Sequence, residues 1–66
     1  MIKALIVGAN GFLGREVAAK CIEEKWMTDV LINSSGDKLP AGISKVGTRL
    51  GELEDHYNYI FNLYPL

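Results

Sequence analysis

Hydrophobic and polar positions change rhythm several times along this chain, and each change marks an element. Ile2-Lys3-Ala4-Leu5-Ile6-Val7 is a near-continuous apolar run that stops at Gly8. Six residues without clean alternation, ended by glycine, predict a strand covered on both faces, as in a parallel sheet. From Phe12 the period lengthens. Leu13, Val17, Cys21 and Ile22, with Gly14 and Ala18, fall on one stripe of a helix over residues 11–25. Arg15, Glu16, Lys20, Glu23 and Glu24 take the other side, where Glu16 and Lys20 are spaced as an i,i+4 ion pair. Trp26 and Met27 read as packing at the apolar end of that helix. Val30-Leu31-Ile32-Asn33 predicts a second strand, and residues 34–42, with Pro40 and two glycines, predict a loop. Residues 43–50 allow a short strand around 44–48, interrupted by Gly47. Tyr59-Ile60-Phe61-Asn62-Leu63 predicts the last strand, rich in aromatic and β-branched residues. The expected fold is α/β: a parallel sheet of three to four strands with one main helix, in the order β-α-β-β-β.

Composition narrows the functions this unit can serve. Sixty-six residues make one small domain or a piece of a larger one. A chain this short buries only about 60% of the surface its unfolded form exposes, so one helix and a few strands must close the core. Seven basic residues against eight acidic ones give a net charge of −1. That balance argues against a nucleic-acid binder held by phosphate contacts. No apolar run approaches the roughly 18 residues of a membrane span, and no signal-peptide pattern opens the chain. Cys21 is the single cysteine and His56 the single histidine, which leaves no disulfide and no zinc quartet. The expectation is a protein of the reducing cytoplasm, without a metal. Cys21, on the apolar stripe, reads as a small buried hydrophobe, and His56 as a solvated surface residue.

The segment that carries chemistry lies between the first strand and the helix: Gly8-Ala9-Asn10-Gly11-Phe12-Leu13-Gly14. Gly8 suits a tight turn off the strand, where φ becomes positive. Gly11, without a side chain, lets the backbone approach a pyrophosphate, and Gly14 lets the helix sit close on the strand. Asn10 tolerates left-handed turn geometry. The free amides of the first helical turn and the positive end of the helix dipole then face the phosphates. The same residues would also suit a strand-to-helix turn that binds nothing. Three glycines at a spacing of three exceed what such a turn requires.

At these residues the chain resembles the short-chain dehydrogenase/reductase superfamily, and within it the extended NAD-dependent epimerase/dehydratase family. Val7, standing before the first glycine, is closer to the atypical, isoflavone-reductase-like branch. Gly51-Glu52-Leu53-Glu54-Asp55 is similar to the family's Gly-Asp-Leu-x-Asp after its third strand. Ile60-Phe61-Asn62-Leu63 is similar to its fourth strand. The resemblance implies a partial Rossmann-like unit spanning residues 1–66, with its phosphate loop at 8–14. It places Gly8, Asn10, Gly11, Phe12, Leu13 and Gly14 at the dinucleotide, Glu52 and Leu53 near the adenine, and Asn62 at the cofactor end of the sheet.

Which dinucleotide binds is decided at the end of the second strand, where an acidic residue would bond the ribose 2′-hydroxyl and repel a 2′-phosphate. Asp29 precedes Val30 and is expected at the wrong end for that task. The right end carries the neutral donors Asn33, Ser34 and Ser35, with Lys38 following, which leans toward NADP over NAD; Asp37 in the same loop opposes that lean. The superfamily's catalytic Tyr-x-x-x-Lys pair does not occur here, because Arg49 is the last basic residue and Tyr57, Tyr59 and Tyr64 all follow it. The expected function is therefore NAD(P) binding by the N-terminal part of an oxidoreductase, incomplete for catalysis as given. The alternatives are a standalone nucleotide-binding or regulatory module, or an interaction protein. One helix covers one face of such a sheet, so the missing C-terminal part or another chain is the expected cover for the rest.

Overall fold

A computed structural model describes residues 1–9, 11–32, 39–49 and 56–63. The elements are β1 (Lys3–Val7), α1 (Phe12–Glu23), β2 (Met27–Leu31), β3 (Lys45–Gly47) and β4 (Tyr59–Asn62). They form one four-stranded sheet in the order β3-β2-β1-β4, and every pairing is parallel. The α/β class, the single main helix and the parallel sheet are as the residue pattern predicts. The chain builds outward from β1 through β2 to β3, then returns to the other side of β1. The direction of winding therefore reverses between β1 and β4.

Side-chain alternation assigns the two faces. Ala4 and Ile6 of β1 and Val30 of β2 share one face with Ala18 and Cys21 of α1, and together with Ala9 and Ile32 they form the core. Leu5 and Asp29, register partners on β1 and β2, lie on the opposite face and are also buried. Thus β1 is covered on both sides, as its near-continuous apolar run requires.

β2 begins at Met27, three residues before the strand the sequence pattern suggests, and the reason lies at the end of α1. Lys25 adopts a left-handed conformation (φ 67°). The Trp26 amide donates to the Cys21 carbonyl and the Lys25 amide to the Ile22 carbonyl, each at 3.0 Å, the paired bonds of a Schellman cap. This turn throws the chain directly into β2, so the helix ends at Glu23 and not at Lys25. Trp26 and Met27 consequently leave the helix end. Trp26 stacks on Tyr59 with ring centroids 5.2 Å apart, and Met27 opens the strand.

The apolar stripe of α1 is narrower than its sequence suggests. Gly14, Ala18 and Cys21 are buried, whereas Leu13 is 60% exposed. Of Phe12, Leu13 and Gly14 in the first helical turn only Gly14 is buried, against Gly8 and Ala9. Lys20 lies 3.7 Å from Glu23 and 3.8 Å from Glu24, at the C-terminal end of the helix, in place of the expected pairing with Glu16.

Candidate functional site

All four strands run the same way, so their C-terminal ends, Val7, Leu31, Gly47 and Asn62, gather along one edge of the sheet. Val7 and Asn62 are register partners across the β1/β4 boundary where the winding reverses. In open parallel sheets the crevice beyond such a reversal is where ligands bind. The glycine loop springs from this point.

Gly8 continues β1 by donating its amide to the Leu31 carbonyl at 2.8 Å, then turns with φ 89°. Gly14, two residues into α1, packs directly on that turn. A Cβ on Gly14 would overlap the Gly8 carbonyl oxygen and stand 2.7 Å from the Ala9 Cα. The third glycine is therefore required by close contact between helix and loop. Gly11 differs. Its φ is −82°, and a Cβ there would meet only the Gly8 oxygen at an ordinary 3.7 Å. Nothing in the fold of the described residues demands glycine at that exposed position.

Gly11 is the N-cap of α1, so no side chain caps the helix, and the first turn carries no acidic residue. The leading amides of α1 lack the intrahelical acceptors available further along, which makes this end of the helix attractive to an anion. Phe12, 75% exposed, and Leu13 flank these amides with apolar surface. Arg15, half-buried on the same turn, adds a positive charge that sequence reasoning placed only on the polar side of the helix. Its position four residues after Gly11, with its amide bonded to the Gly11 carbonyl at 3.0 Å, is the signal that could have brought it in.

The structure thus brings Gly8, Gly11, Phe12, Leu13 and Gly14 together at the switch point and places Asn62 beside them, at the end of β4. Asn10, Asn33, Ser34, Ser35, Lys38, Glu52 and Leu53 lie outside the described residues.

Asp29 is placed otherwise than the sequence suggests. It sits in the middle of β2, not ahead of the strand, and is fully buried on the face away from α1. Tyr57 donates its hydroxyl to Asp29 Oδ2 at 2.7 Å, while Oδ1 is buried without a partner among the described residues. A carboxylate held in mid-strand is removed from the edge where a ribose would lie. Sequence reasoning missed this pair, since strand rules disfavour aspartate and the two residues are 28 positions apart.

Cys21 is buried as expected, and loss of solvent pushes its thiol pKa upward, which makes it a poor nucleophile. His56 is exposed. Among the described residues no group of three or more His, Cys, Asp or Glu is placed to hold a metal, and no helix is long and apolar enough to cross a membrane. An apolar hollow of about 220 Å³ lies between the C-terminal half of α1 and β4, lined by Val17, Lys20, Cys21, Glu24, Trp26 and Phe61. It is at the far end of the helix from the glycine loop and is separate from it. Comparison with protein-family models, with curated proteins and with solved structures returns no match to this chain.

Proposed function

We propose that this chain is a dinucleotide-binding unit whose 8–14 loop holds the pyrophosphate of NADP(H) or NAD(H). The observation that carries the reading is the uncapped start of α1, opening from an exposed glycine at the point where the sheet reverses its winding. A turn built only to join β1 to α1 needs Gly8 for its positive φ and Gly14 for its close contact. Gly11 meets neither need; as the N-cap it suits the helix start and leaves the leading amides open to a group that approaches from outside. A phosphate bound there would accept from the free amides and draw on the positive end of the helix dipole.

The residues fit such a group in their donor chemistry: amides, a nearby arginine and no carboxylate in the first helical turn. Gly8 and Gly14 shape the loop, Gly11 admits the phosphates, and Phe12 and Leu13 present apolar edges to the bound nucleotide. Asn62 stands at the end of β4 on the same side. When bound, the nicotinamide would supply hydride-transfer chemistry. This chain's residues bind and orient the cofactor, and its lack of a Tyr-x-x-x-Lys pair means that binding, not turnover, is the activity proposed for it. The lean toward NADP rests on Asn33, Ser34, Ser35 and Lys38, and the wider kinship remains the resemblance to NAD-dependent epimerase/dehydratase proteins. A cytoplasmic setting suits such a cofactor.

A thermal-shift titration tests the reading. A ligand at 100 times its Kd stabilises the folded state by about 2.7 kcal/mol. Millimolar NADP(H) or NAD(H) is expected to raise the melting temperature. No shift with either would overturn the proposal.

A further inference from the structure

We draw no further inference here: the strongest candidate, the apolar hollow of about 220 Å³ between the C-terminal half of α1 and β4, carries nothing, because nothing in the structure shows what covers it.

Discussion

The Tyr57 hydroxyl lies 2.7 Å from Oδ2 of Asp29, a residue with no solvent exposure in the middle of the sheet. This bond ties the segment entering β4 to β2 across the face that α1 does not cover. A buried acceptor deprived of its donor keeps its desolvation cost, about 1–3 kcal/mol and more when charged. Tyr57→Phe is therefore expected to lower the unfolding free energy, read from urea melts, by about 1–3 kcal/mol. Asp29→Leu combined with Tyr57→Phe should cost much less than the two single changes added together, because no orphaned partner remains. Additive losses in a double-mutant cycle would show that the bond is not the source.

Gly14 is set against Gly8 and Ala9 so closely that a methyl group has no room. Gly14→Ala should displace α1 from the loop and cost about 1–3 kcal/mol, the usual range for overpacking. Thermal denaturation checks this, and an unchanged melting temperature would mean that the helix and loop are not held together as described.

Lys25 occupies the left-handed position of the Schellman cap, where glycine carries no Cβ penalty. Lys25→Gly is expected to stabilise the chain by about 1 kcal/mol, since left-handed backbone costs other residues roughly 1–2 kcal/mol. A destabilised variant would contradict the cap geometry.

Burial raises the Cys21 thiol pKa in the folded state. A raised pKa means that the folded chain holds its proton more tightly than the unfolded chain does. The associated stability is full below the ordinary thiol pKa of about 8.5 and is lost as pH rises through the folded value. Urea melts from pH 7 to pH 10 should show a decline that Cys21→Ala lacks. Identical pH profiles for the two proteins would contradict the burial of the thiol.

Much of this architecture was legible in the sequence, and the reason is physical. β1 is apolar from Ala4 to Val7 because both of its faces are covered, and α1 shows its stripe because Gly14, Ala18 and Cys21 must lie on the sheet. The start of β2 was not legible. Thr28 and Asp29 are polar and yet fully buried, made tolerable by bonds to the Trp26 carbonyl and the Tyr57 hydroxyl. Those partners are fixed by the fold and leave no periodic trace. The exposure of Leu13 was hidden for a similar reason, since periodicity does not reveal which positions of the stripe find a neighbour. Within the glycine loop, the spacing suggests a separate task for each of Gly8, Gly11 and Gly14. The backbone and contacts add that the fold requires glycine at Gly8, for its positive φ, and at Gly14, for its close packing, but not at Gly11.

Lys38→Glu is expected to shift preference from NADP toward NAD, since a carboxylate near the 2′-position would repel a 2′-phosphate. Paired titrations with the two cofactors read the change directly. An unaltered ratio of affinities would remove Lys38 from the site.

The central claim is tested most directly by calorimetric titration of NADP(H) into the wild-type chain and Gly11→Val. The position is exposed and has an ordinary φ, so the variant should fold, with a melting temperature lowered only by the loss of a favoured N-cap residue. Its side chain would nevertheless stand where the pyrophosphate must approach, and the account predicts at least a tenfold loss of affinity, about 1.4 kcal/mol. A variant that folds normally and binds the nucleotide as tightly as the wild type would contradict it.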